Sequence, residues 1–92
     1  MKYYECHIGS NKLELHNSFL GKETVKLNNR IVSETFSLKG TYHFFKINSI
    51  QFLIKTTYKV IPERQFEIKL FKCRNLIDSK VEKLRINKIF QL

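Results

Sequence analysis

Tryptophan is absent from this chain, proline occurs once and glycine three times. No Pro-, Gly- or Ser-rich linker, low-complexity tract or diagnostic internal repeat divides it. No apolar run approaches the roughly 20 residues that span a bilayer. The opening stretch MKYYECHIGS has a lysine but no apolar segment behind it, so it does not read as a secretory signal. The expected compartment is cytoplasmic. In a reducing cytosol the two cysteines are expected as thiols.

The missing motifs are as telling. Zinc needs ligands at suitable spacing. Cys6, His7, His16, His43 and Cys73 form neither C-x-x-C nor H-x₃-H, and Cys6 and His7, adjacent on a strand, point to opposite faces. No metal and no cofactor are expected. Gly21-Lys22-Glu23-Thr24 is not a phosphate loop, because that motif needs a Gly where His16 stands and a hydroxyl residue where Glu23 stands. Nucleophilic catalysis needs Cys73 or a Ser beside a His and an orienting carboxylate. With eight acidic residues, no paired carboxylates and no nucleophile elbow, the chain reads as non-enzymatic.

What remains is alternation. Leu13 and Leu15, Val25 and Leu27, Ile50, Phe52 and Ile54, and Phe66, Ile68 and Leu70 recur at a spacing of two. Successive strand side chains point to opposite faces, so this is half-buried β-structure. Strands are read at Lys2 to Ile8, Lys12 to His16, Glu23 to Asn28, Ile31 to Leu38, Thr41 to Asn48, Ile50 to Ile61 and Phe66 to Cys73, with a short one around Leu76 and Ile77. Gly9-Ser10-Asn11, Asn28-Asn29-Arg30, Gly40, Asn48-Ser49 and Arg74-Asn75 supply turns, and Pro62 marks a strand end. Between Asn17 and Lys22 a loop is expected to tuck Phe19 and Leu20 under the sheet. The strand from Ile31 sets Val32, Phe36 and Leu38 on one face with Glu34, the mark of an edge or a bulge. Thr41 to Asn48 carries bulk on both faces, which predicts a central strand.

The fold class predicted is all-β: a single antiparallel β-sandwich or flattened barrel of seven to eight strands. At 92 residues there is room for one domain, expected to bury roughly two-thirds of its unfolded surface. Residues 1–78 form the sandwich. Residues 79–92 are a tail or short C-terminal helix packed on it, because Ser79-Lys80-Val81-Glu82 fits a capping box. The predicted core is Tyr4, Cys6, Ile8, Leu13, Leu15, Val25, Leu27, Phe36, Phe45, Ile47, Ile50, Phe52, Ile54, Phe66, Ile68 and Leu70. Cys6 faces inward, and Cys73 shares the opposite face with Lys69 and Phe71, so parity argues against a bridge between them.

The net charge of +9 has two readings. It can mark an anionic partner, or it can reflect a Lys-, Asn- and Ile-rich composition. Lysines outnumber arginines and are spread along every segment, whereas dedicated nucleic-acid sites favour the arginine fork. One surface stands out. The outward positions of two adjacent strands carry Leu53 and Lys55, then Lys69 and Phe71, and Tyr42 and Phe44 extend the patch from the strand before. Apolar groups rimmed by charge mark an interaction site. The competing reading puts Phe44 and Phe71 in a second sheet's core or under the tail.

The stretch NKLELHNSFLGKETVKLNNRIVSETFSLKG, then TYHFFKI and FEIKLFKCRNLIDSK, resembles the small β-sandwich of the Fas apoptotic inhibitory molecule family. The likeness lies in an apolar strand, a Gly-Lys loop, an Asn-type hairpin turn and a Gly turn. Arg30 replaces the family's usual turn glycine, and its tryptophans are missing. The resemblance implies an all-β, non-enzymatic interaction domain and carries over no functional residue. The expected function is a small basic binding protein, an inhibitor or accessory subunit, that meets an acidic protein partner. The alternative is a nucleic-acid-binding module using the same lysine and aromatic face. Neither reading calls for a membrane.

Overall fold

A computed structural model of the protein describes residues 1–18, 21–60 and 63–83. Eight strands follow in sequence: β1 (Lys2–Ile8), β2 (Asn11–Asn17), β3 (Lys22–Leu27), β4 (Arg30–Phe36), β5 (Tyr42–Ile47), β6 (Ile50–Lys59), β7 (Gln65–Lys72) and β8 (Asn75–Lys83). They form two four-stranded antiparallel sheets, ordered β1-β2-β3-β4 and β5-β6-β7-β8. The predicted sandwich is the fold observed.

The turns explain the pairing. Asn28 and Asn29 (φ 52 and 67) and Asn48 and Ser49 (φ 50 and 68) take the left-handed conformation at both central positions. Such turns match the right-handed twist of the strands they join. Gly40 (φ 116) sits where the chain crosses from one sheet to the other. A Cβ there would lie 2.1 Å from the Thr56 carbonyl oxygen, so only glycine lets this crossing pack on β6.

Leu13, Leu15, Val25, Phe45, Phe52, Ile54, Phe66, Ile68 and Leu70 fill the space between the sheets, with Tyr4 and Ile47 at its margins. Cys6, Ile8 and Leu27 pack against this core while only partly buried. Two expected core residues are not in it. Phe36 pairs with Lys22, beside inward-facing Glu23, and so points outward with Glu34 at 70% exposure. Ile50 is 39% exposed because it flanks a hairpin turn at the rim.

β4 is both things its irregular pattern suggested, an edge strand with a register shift opposite Val25 and Lys26. β5 is an edge strand as well, not a central one. Its inward side chains His43, Phe45 and Ile47 are buried, but Tyr42 and Phe44 face solvent rather than a further layer. The predicted helix start is also corrected. Ser79 to Lys83 continue β8, paired to Lys69 through Gln65, so the ladder with β7 overrides the capping-box signal. The loop at Phe19 and Leu20, the strand end at Ile61 and Pro62, and residues 84–92 lie outside the described residues.

Candidate functional site

The outer face of the second sheet is set by register. Tyr42, Lys55, Lys69 and Ser79 lie in one cross-strand row, and Phe44, Leu53, Phe71 and Leu76 in the next. All six residues singled out from sequence therefore share one face. They are not a second core, because the first sheet packs on the opposite side. Of the tail expected to cover them, Ser79 to Lys83 belong to β8 and the rest lies outside the described residues. Tyr42 and Phe44 are 57% and 61% exposed and stack with ring centroids 6.5 Å apart. The Lys55 ammonium sits 5.7 Å from the Tyr42 ring centre, within cation–π range. Leu76 completes the apolar row and was missed. Its short strand gave no parity until pairing with β7 fixed its face.

Charge separates the two outer faces. On the first sheet, register puts Lys2, Lys12, Lys22 and Lys26 outward with Glu5, Glu14 and Glu34. Three of these four lysines pair with the glutamates. Lys2 pairs with Glu5 and Glu14, Lys12 with Glu14, and Lys22 with Glu34. A hydrogen bond from Lys2 holds the Glu5 carboxyl below its ordinary range, and one from Thr24, aided by Lys22, does the same for Glu34. On the second sheet, Lys46, Lys55, Lys59, Lys69 and Lys83 face outward. Among the described strand residues, Glu67 is the one outward acid opposing them.

A buried polar chain runs between the sheets. Glu23 on β3 and His43 on β5 are both wholly buried. The His43 Nε2 lies 2.9 Å from Glu23 Oε1, which also accepts the Thr56 hydroxyl at 2.8 Å. Ser33 Oγ on β4 lies 2.7 Å from His43 Nδ1. His43 thus bridges Glu23 and Ser33 through its two ring nitrogens, and its tautomer sets which of them donates. Nearby, the Asn17 amide donates to the Tyr58 oxygen. Burial, then the charge of Glu23, pushes the Tyr58 phenol up. Glu23 Oε2 and Asn17 Oδ1 have no hydrogen-bond partner among the described residues.

Sequence reasoning stated what nucleophilic chemistry requires but did not find these residues. The signal was parity. Glu23 alternates with Val25 and Leu27, and His43 with Phe45 and Ile47, so each is a polar residue on an apolar face. Buried charges need partners, and two such residues on different strands are candidates for each other. At the far edge, Tyr4 donates to the Asp78 carboxylate and Lys80 to the Tyr3 carbonyl, joining β1 to β8. Burial, then the Asp78 hydrogen bond, raises the Tyr4 phenol.

Cys6 and Cys73 are free thiols, and burial pushes the Cys6 thiol up. Among the described residues, no three His, Cys, Asp or Glu side chains are grouped to hold a metal ion. No described helix is long and apolar enough to cross a membrane. Comparison with protein-family models, with curated proteins and with solved structures gives no match. The resemblance to the Fas apoptotic inhibitory molecule family is neither supported nor opposed by it.

Proposed function

We propose that the protein is a small basic binding protein whose second-sheet outer face docks an acidic protein partner. The role of this face is non-enzymatic, that of an inhibitor or accessory subunit in the cytoplasm. One observation carries the reading. The outward strand lysines on this face outnumber its outward strand acids five to one, against four to three on the other face, and an apolar row crosses the surplus. Composition alone gives no reason for that asymmetry. Phe44, Leu53, Phe71 and Leu76 supply desolvation, and Lys55 and Lys69 supply complementarity and register. The interaction-domain character implied by the Fas apoptotic inhibitory molecule resemblance points the same way.

The test compares wild type with the Lys55→Glu/Lys69→Glu variant as bait in extracts of the native host, with captured proteins identified by mass spectrometry. An acidic partner retained by wild type and lost by the variant, with circular dichroism unchanged, is the expected result. Equal capture by both refutes the site.

A second reading has its own observation. The exposed Tyr42 and Phe44 rings beside Lys55 form a platform on which bases can stack while lysines hold phosphates. Fluorescence anisotropy with single-stranded oligonucleotides in a salt series decides it. Nucleic-acid binding through several lysines weakens steeply between low and physiological salt. No binding even at low salt excludes this reading.

A further inference from the structure

We infer that Ser33 is an activated nucleophile, with His43 as its base and Glu23 as the residue that orients and charges that base, able to accept an acyl group from a small activated ester. The inference rests on the buried chain between the sheets and is independent of the second-sheet face. Its first support is connectivity. Carboxylate, imidazole and hydroxyl lie in series at 2.9 and 2.7 Å, within the reach that nucleophile activation requires. Its second is the tautomer. In the tautomer that serves this role, His43 donates its Nε2 hydrogen to Glu23 and directs the lone pair of Nδ1 at the Ser33 hydroxyl. Its third is rigidity. Thr56 locks the carboxylate oxygen that His43 uses, and the Thr41 backbone N–H donates to Thr56 Oγ1 at 2.9 Å.

Access is the remaining requirement. Glu23 and His43 are buried, but Ser33 is only partly so. It stands on an edge strand, next to the register shift of β4, where the first sheet ends beside β5. No strand ladder joins β4 to β5. Ser33, at that seam, is therefore the member of the chain that solvent reaches.

The step balances within these groups. Ser33 Oγ bonds to the ester carbonyl carbon as its proton passes to His43 Nδ1. The imidazolium, held by Glu23, returns that proton to the departing alkoxide oxygen as the carbon–oxygen bond breaks. The products are an acyl-Ser33 and an alcohol. Water then releases the acid by the same proton route.

The experiment treats the folded wild-type chain with a fluorophosphonate probe, in which Oγ bonds to phosphorus and fluoride leaves, and maps adducts by mass spectrometry. Ser10, Ser18 and Ser49 are exposed and serve as internal controls. Ser33 is expected to be labelled about a hundredfold or more faster than these. Glu23→Gln, with the fold confirmed by NMR, is expected to slow labelling about tenfold or more, the effect of losing an orienting charge. Labelling of Ser33 at or below the rate of the exposed serines overturns the inference and leaves the chain a structural tie. So does a rate indifferent to Glu23→Gln.

Discussion

The two outer faces of this sandwich are built from the same alternating strands and end in opposite surfaces. The first sheet sets Glu5, Glu14 and Glu34 among Lys2, Lys12, Lys22 and Lys26 and pairs all but Lys26 of these lysines within itself. The second sets an aromatic and aliphatic row among five lysines, of which Glu67 answers Lys59 and Lys69 and Glu63 answers Lys83, leaving Lys46 and Lys55 without an ion pair among the described residues. A net charge of +9 is therefore a poor description of the molecule. The surplus has an address, and a surface with unanswered charge and exposed apolar groups is equipped for a partner in a way that a neutralised one is not.

The largest expected effect sets the faces directly against each other. Lys55→Glu/Lys69→Glu should weaken binding of the acidic partner by about 100-fold or more, as close charge pairs at interfaces permit. Lys22→Glu/Lys26→Glu, the same charge change on the first sheet, should alter it by less than about threefold. Titration calorimetry of both variants checks this, and equal losses would mean that only net charge matters.

The interior contrasts with both faces. Removing one member of a buried hydrogen-bonded pair leaves the other unsatisfied, at about 1–3 kcal/mol. His43→Leu should lower the urea midpoint accordingly and Glu34→Gln should leave it unchanged, because the Glu34 contacts are solvent-exposed.

Phe71→Ala should separate binding from folding. A partly buried aromatic at the centre of the patch should cost about 2 kcal/mol or more of partner affinity, with the unfolding transition shifted far less than by His43→Leu. A loss of stability as large as the loss of affinity would make Phe71 a packing residue.

The smallest effect compares the two tight hairpin turns. Ser49→Gly on the second sheet should stabilise more than Asn29→Gly on the first, each by under about 1 kcal/mol. Asn tolerates positive φ better than Ser does. Thermal denaturation of the two variants gives the order.

The strands and turns were legible because they are local. Period-two patterning and Asn-rich turns are written into neighbouring residues, and parity alone gathered Tyr42, Phe44, Leu53, Lys55, Lys69 and Phe71 on one face. The errors arose where pairing overrides local pattern. Phe36 points outward because of which residue of β3 it faces. β5 carries bulk on both sides without being central. Ser79 to Lys83 read as a helix start until β7 supplies a ladder. The Ser33–His43–Glu23 chain was illegible for the same reason, since its members lie on three strands of two sheets. Only the fold's facing geometry joins them, though the parity of Glu23 and His43 marked each as needing a partner.

The most direct test of the asymmetry is a ¹H–¹⁵N NMR titration of the protein with an acidic amphipathic peptide of leucine and glutamate. The account predicts shifts concentrated on Tyr42, Phe44, Leu53, Lys55, Lys69 and Phe71, diminishing with added salt. Shifts spread equally over the outward residues of both sheets, or centred on Lys12, Lys22 and Lys26, would contradict it.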